Sequence, residues 1–378
     1  MKILYLNMRF AKNGLSTNIR DLTRGMIEDG HEMHIVTTGF WGKDVTDTSF
    51  FDDLKKEFKD LGVHIHYMAN PTGNSLKKVY NAIKGFVQVI SYIRKINPDV
   101  IHSHSPNMTF VPYLMGKKFV STVHADTITP NFRYKHPTLL IAVSEGSKEF
   151  TKRVMHSPEK TIRMVYHGID KRFSIPETKE SILSLKEKNG IPKDKLIIGA
   201  VGRIIAMKGQ DVLLNAIGQY LSPDLKQKIH IVLVGDYESK HTVSWLDNFI
   251  KANQVEDQIT ILSFRDPKPY YQMFDIFVLP SRSDTFGLVA VEAMMSGCCT
   301  IRSDSNGAYD QINHGENGFI FEMDDAKGLA SYLDKVLNNK KLRNKLSVNG
   351  KQKALTQFTQ KAMVDNTLKV YEELINMN

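Results

Sequence analysis

An α/β protein of two parallel-sheet domains is the fold class this sequence predicts, and three observations predict it. The chain has 378 residues, and at roughly 100 to 200 residues per domain that is about two domains. Short β-branched runs alternate with longer stretches of helical periodicity, the mark of parallel strands joined by crossover helices. The alternation breaks at residues 174–194 (SIPETKESILSLKEKNGIPKD), a polar stretch with Pro176 and Pro192, and then restarts. The expectation is a Rossmann-like domain over 1–173, a linker over 174–194 and a second Rossmann-like domain over 195–358. Ligands would lie between them, at the carboxyl ends of the strands.

Taken in order, the first half offers short apolar strands at Ile3–Asn7, Met33–Thr37, Val63–Tyr67, Val100–His102, Phe119–Val123, Leu140–Val143 and Arg163–Tyr166. Between them, Thr17–Asp29 and Leu76–Lys95 carry apolar residues at helical spacing. In the latter, Leu76, Val79, Tyr80, Ile83, Phe86, Val87, Ile90 and Ile93 form one face, as a crossover helix needs to cover a sheet. In the second half Leu196–Val201, His230–Val234, Ile259–Leu262, Ile276–Leu279, Thr300–Arg302 and Gly318–Phe321 read as strands. A last helix spans about Thr359–Ile375.

Composition narrows the class. Hydrophobic residues at 42% and charged residues at 24% exclude a disordered chain and a membrane-embedded body, and no apolar run approaches the ~18 residues of a bilayer span. Two adjacent cysteines, Cys298 and Cys299, make neither a disulfide framework nor a metal site and suit a reducing compartment. The start, MKILYLNMRF, is interrupted too soon to be a secretory leader, so a cytoplasmic protein is expected. The net charge of +9 is unevenly placed: residues 1–173 hold 25 basic against 16 acidic residues, and the remainder balances 25 against 25. Nucleic acid, an anionic membrane and a phosphorylated substrate each suit such a half, as does a merely solubilising surface.

Two segments could do chemistry. After the Leu196–Val201 strand, Gly202 and Gly209 bracket a loop with Arg203 and Lys208 that opens a helix, a place for phosphate oxygens or simply a solvated turn. Its spacing is not that of a P-loop. After Ile276–Leu279, the run PSRSDTFGLVAVEAMMSG carries Asp284, Phe286 and Gly287 into a helix beginning near Leu288, with Glu292 in its first turns. Glu292 could accept from both hydroxyls of a ribose and Asp284 from a sugar hydroxyl; alone, Glu292 is as readily a solvated helix residue.

Together these segments resemble the family-four retaining glycosyltransferases of the GT-B fold. The Arg203…Lys208-Gly209 loop is similar to that family's pyrophosphate-binding pair. Asp284 through Glu292 is similar to its two carboxylates separated by seven residues. GAYDQINHGENGFIF (307–321) is similar to its glycine-rich stretch, and NGLSTNIRDLTRGMIEDGHEMHIV (13–36) to the opening of its acceptor domain. Order and spacing hold over nearly the whole chain.

The resemblance implies two Rossmann-like domains facing across a cleft, and transfer of a hexose or N-acetylhexosamine from a nucleotide diphosphate sugar with retained configuration. UDP-sugar is the expected donor on family frequency. Arg203 and Lys208 would neutralise the leaving pyrophosphate, Glu292 hold the ribose and Asp284 the donor sugar, with the backbone of Phe286, Gly287 and Leu288 beside it. Phe264 and Arg265 would line the base, Gly14 would approach the pyrophosphate from the other domain, and His124 would contact the donor sugar and handle an acceptor proton. Metal-free chemistry and no cofactor are expected: fixed cations and helix dipoles can stabilise a departing diphosphate, and no Asp-x-Asp motif occurs.

Three positions depart from the family: Asp284 stands where Glu is usual, Gly14 where Gly-Gly is common, and His167-Gly168 where Asn-Gly is found. His102 and His104 are expected to be structural.

The resemblance also gives the basic half to the acceptor, here a glycan, phosphorylated or lipid-linked. Lys77, Lys78, Lys84, Arg94 and Lys95 flank the Leu76–Lys95 face and Lys55, Lys56 and Lys59 precede it, so peripheral contact with the inner face of the cell membrane is one expectation. The last helix would cross back onto the first domain. The leading function is surface-glycan synthesis, such as a lipopolysaccharide core or a capsular or wall polymer. A GT-B epimerase or phosphorylase is the second reading, and a non-catalytic binder of nucleotide sugar or nucleic acid the third. Nucleic acid is disfavoured because no aromatics interleave a basic stripe. Acceptor choice falls to loops such as Phe10–Thr17 and Phe40–Phe51.

Overall fold

The computed structural model describes residues 1–42, 48–126, 131 and 133–377; of the Phe40–Phe51 loop, residues 43–47 lie outside the described residues. The chain divides into two units, Met1–Gly168 with Gln360–Asn378, and Ile169–Thr359.

The first unit is built on β1 (Lys2–Leu6), β2 (Glu32–Thr37), β3 (His64–Tyr67), β4 (Val100–Ser103), β5 (Val120–Val123), β6 (Leu139–Ala142) and β7 (Ile162–Met164). They form one sheet in the order β3-β2-β1-β4-β5-β6-β7, with parallel pairing throughout. Residues of alternate parity face opposite sides. Ile3, Tyr5, Met33 and Ile35 pack with Ile19, Leu22 and Met26 of the Gly14–Glu28 helix, and Leu4, Leu6, Val36 and Ile101 with Val89 and Ile93 of the Ser75–Ile96 helix. Burial on both faces is why these strands read as apolar runs.

The last helix, Gln360–Asn376, belongs to this unit. Its Val364 lies against Gly25, where an added Cβ would stand 2.4 Å from a methyl carbon. Its buried Tyr371 hydroxyl is 2.6 Å from His102 Nδ1.

The second unit holds β8 (Leu196–Val201), β9 (Ile229–Val234), β10 (Ile259–Leu262), β11 (Ile276–Leu279), β12 (Cys299–Ser303) and β13 (Phe319–Phe321). Their order is β10-β9-β8-β11-β12-β13, again all parallel. Ile198, Ile231, Leu233, Val278 and Ile301 meet Leu213, Leu246, Leu329 and Leu333 in its core.

Two expectations are corrected. The stretch 174–194 is not a free linker, because the second unit starts at Ile169, which bridges to Thr359. Arg172 grips Asp266 through two bonds of 2.7 and 2.9 Å, and Gln272 accepts from the Glu177 amide and donates to the Ile175 carbonyl. The helix Lys179–Lys188 then occupies the middle of the stretch. Polar composition reads as a linker, but here polar side chains are the means of attachment. The second correction concerns the Ser75–Ile96 helix, whose apolar stripe does not cover the sheet along its whole length. Val89 and Ile93 are buried, but Leu76 is 85% exposed and Val79, Tyr80, Ile83 and Val87 are each more than half exposed.

Candidate active site

In a doubly wound sheet the ligand crevice opens where neighbouring strands send their connections in opposite directions. In the second unit that point falls between β8 and β11, and the two loops singled out from the sequence leave the carboxyl ends of these two strands. There Lys208 Nζ donates to Asp284 Oδ1 at 2.7 Å, both side chains largely buried. Asp284 Oδ2 is buried and has no hydrogen-bond partner.

Sequence makes the two loops meet. Gly209 takes φ +69° at the start of the Gln210–Asn215 helix, and a Cβ there would stand 1.9 Å from the Pro280 carbonyl oxygen. Only glycine permits that approach. The Arg282 amide donates to the Met207 carbonyl at 2.9 Å. Its guanidinium forks onto Asp211 at 2.7 and 3.0 Å, bonds Asp324 at 2.6 Å and reaches the Ala206 carbonyl. The Asp211 bond is the main cause of its raised pKa.

Beneath the second loop lies Arg302, fully buried at the end of β12. It donates to the Phe286 carbonyl at 3.1 Å, the Asn306 carbonyl at 3.1 Å, Ser305 Oγ at 3.2 Å and the Gln311 side-chain oxygen. Burial lowers its pKa to about 10, so it remains a cation at neutral pH. Phe286 is buried against Phe358. The Leu288–Ser296 helix then starts from Gly287 without a side-chain cap, leaving backbone N–H groups suited to an anion.

Other predicted residues have partners of their own. Glu292 is inside the helix, nearly buried, and accepts from the Tyr271 hydroxyl at 2.8 Å; it is not a solvated helix residue. Arg203 is exposed and paired with Glu238 at 2.9 Å. Phe264 follows β10, 45% exposed, with its amide donating to Asp236 Oδ1 at 2.9 Å. Arg265 bonds Tyr270 Oη at 3.1 Å.

In the first unit, histidines cluster at the carboxyl ends of three strands. His124, after β5, has Nε2 3.0 Å from His104 Nδ1 and stacks on His167 at 5.3 Å and 8°. Its Nδ1 and His104 Nε2 are buried without partners. His102 is held between Tyr371 Oη at 2.6 Å and Thr122 Oγ1 at 2.7 Å, the structural role expected of it. Desolvation lowers the pKa of His102, His104 and His124, and that of His167 to about 3. A neutral His124 that donates from Nε2 has Nδ1 free to accept a proton; the opposite tautomer makes Nδ1 a donor. Gly14 is exposed as the first residue of its helix, where Asn13 Oδ1 caps the Ser16 amide at 3.1 Å.

Arg282, Arg302, Tyr271 and His167 were missed as site-supporting residues. Arg302 had a readable signal, a lone cation closing an apolar strand, and His167 shared with His124 its place after a strand.

Comparison with known proteins places the family. The profile described as "Glycosyltransferase Family 4" matches residues 12–173, and "Glycosyl transferases group 1" matches 181–353. The chain belongs to the family-4 glycosyltransferases of the GT-B fold. This glycosyltransferase is 23% identical to an uncharacterized glycosyltransferase of Methanocaldococcus jannaschii, over 96% of the chain and 95% of that protein. It is 27% identical to the capsular polysaccharide biosynthesis glycosyltransferase CapM of Staphylococcus aureus, over 64% of the chain and 61% of CapM. Among solved structures, Anabaena HepE in complex with UDP superimposes with a TM-score of 0.82 at 18% identity, over 99% of the chain and all of HepE.

Proposed function

We propose that this glycosyltransferase transfers a sugar from a UDP-sugar, with retention and without a metal, to a glycan or lipid-linked acceptor in surface-polysaccharide synthesis. The observation that carries the reading is the Lys208–Asp284 pair at the β8/β11 switch point, with Asp284 Oδ2 unpartnered. When a diphosphate enters, Lys208 exchanges the carboxylate for phosphate oxygens, and Asp284 is released to accept from a donor-sugar hydroxyl. The helix starting at Leu288 adds backbone N–H groups, and Arg203 leaves Glu238 to neutralise the second phosphate. Such fixed donors stabilise the charge that develops on the leaving group. Glu292 holds the ribose, Phe264 and Arg265 line the base, and His124 contacts the donor sugar and handles the acceptor proton. The UDP complex of HepE and the capsule assignment of CapM support the donor and the pathway.

Among the described residues no helix is long and apolar enough to cross a membrane. The exposed stripe Leu76, Val79, Tyr80, Ile83 and Val87, beside Lys77, Lys78 and Lys84, supports a peripheral site on an anionic leaflet. Each basic group near such a surface is worth about 1 kcal/mol. The test of donor choice is a panel of nucleotide sugars scored for slow hydrolysis without acceptor. UDP release from one or a few UDP-sugars is expected; release of another nucleotide alone would overturn the donor assignment.

A further inference from the structure

The amino ends of β2 and β3, at the opposite end of the first sheet from His104 and His124, carry four potential metal ligands that the transfer reaction does not use. Glu32 and His34 are two apart on β2, and His64 and His66 two apart on β3. Parallel pairing sets His34 directly opposite His64, so by the two-residue period of a strand all four side chains share one face.

We propose that Glu32, His34 and His64 form a binding site for a borderline divalent metal ion such as Zn²⁺, with His66 as the positioning residue. One ligand atom from each of the three lies within 4.8 Å of the others. A tetrahedral ion with bonds of about 2.0–2.1 Å places its ligands ~3.3 Å apart, so the cluster needs only small adjustments to seat one. His34 is the fixed member, buried, with Nε2 2.7 Å from Glu32 Oε1. Glu32 and His64 are exposed, so their side chains can adjust around an ion.

Two further observations fit a metal. His34 Nδ1 is 3.0 Å from His66 Nε2. Without an ion, Nε2–H donates to the Glu32 carboxylate and Nδ1 accepts from His66; an ion replacing the proton on Nε2 would move it to Nδ1, which then donates to His66, the arrangement that orients metal-bound histidines. The His34 and His64 rings stack at 4.7 Å and 22°, which brings their nitrogens side by side.

Imidazole and carboxylate ligands suit Zn²⁺, Ni²⁺ or Cu²⁺ rather than Mg²⁺ or Ca²⁺. Three protein ligands leave a fourth position for water. Lys2 Nζ, 3.9 Å from Glu32 Oε1, opposes the ion weakly across solvent. Because β3 is the edge strand of its sheet, the ion would tie that edge to β2.

The test is calorimetric titration of Zn²⁺ into the full chain, without a histidine tag, at pH 7.5. One saturable equivalent is expected. His64→Ala and Glu32→Gln should each weaken it at least tenfold, and His66→Gln about tenfold through His34. Zn²⁺ should raise the Tm of the wild type and leave that of the His64→Ala, Glu32→Gln double variant unmoved. His64 and Glu32 are exposed, so their variants should fold as the wild type does without metal. No saturable binding, or equal binding by the double variant, overturns the proposal. Donor hydrolysis after EDTA treatment is a separate readout, expected unchanged, and it reports on the transferase reading alone.

Discussion

Lys208 and Asp284 neutralise each other across 2.7 Å, and in the proposed reaction that pairing would give Asp284 a role beyond holding sugar: keeping the lysine over the switch point until phosphate competes for it. Asp284→Asn should retain donor binding, since Lys208 is then unopposed, while kcat for transfer falls; an unchanged kcat would remove Asp284 from the site. Arg302 acts differently. It ties the Phe286, Ser305 and Asn306 backbone from below, so Arg302→Met leaves several buried acceptors without a donor. A loss of roughly 2 to 4 kcal/mol is expected in urea melts, and a loss near zero would show that the loop holds without it.

At the scale of elements, the histidines at the carboxyl ends of β4, β5 and β7 form one buried group. Burial keeps His102, His104, His124 and His167 neutral in the folded chain, with lowered pKa values. The unfolded chain protonates them near pH 6.5 and so binds more protons below that pH. Stability is therefore fully present above about pH 6.5 and declines as pH falls, by about 1.4 kcal/mol per pH unit for each histidine still neutral when folded. For His167 the decline continues toward its folded value of about 3. Urea melts at pH 7.5 and 5.5 check this; equal midpoints would contradict it.

The Ser75–Ile96 helix gives the second prediction at this scale. Its exposed apolar stripe contributes little to the core, so Leu76→Gln with Ile83→Gln should leave Tm unchanged and reduce sedimentation with phosphatidylserine vesicles severalfold. Undiminished sedimentation would place membrane contact elsewhere.

At the scale of the molecule, parallel sheets made the fold readable. Strands such as Leu196–Val201 and Ile276–Leu279 are buried on both faces and appear in the sequence as short apolar runs with nothing polar to blur their ends. The attachment of 174–194 was not readable, because it rests on Arg172–Asp266 and Gln272, pairs nearly a hundred residues apart with no local pattern. The apolar stripe of Leu76–Ile93 was visible, but periodicity reports that a face exists and not what covers it. Residue types and order singled out Lys208, Asp284 and Glu292 as candidates, and the structure pairs the first two; Arg282, held by the distant Asp211 and Asp324, and Arg302, held by backbone carbonyls, have partners that local sequence does not display. Part of the basic surplus of the first 173 residues, Lys77, Lys78 and Lys84, lies on the helix whose apolar face is exposed.

The most direct test is UDP release from the preferred UDP-sugar by the wild type and by Lys208→Ala, with Tm measured on both. Loss of a donor aimed at developing charge costs on the order of 10²–10³ in rate, so a drop of that size at unchanged Tm is predicted. Release at the wild-type rate by Lys208→Ala would contradict the account.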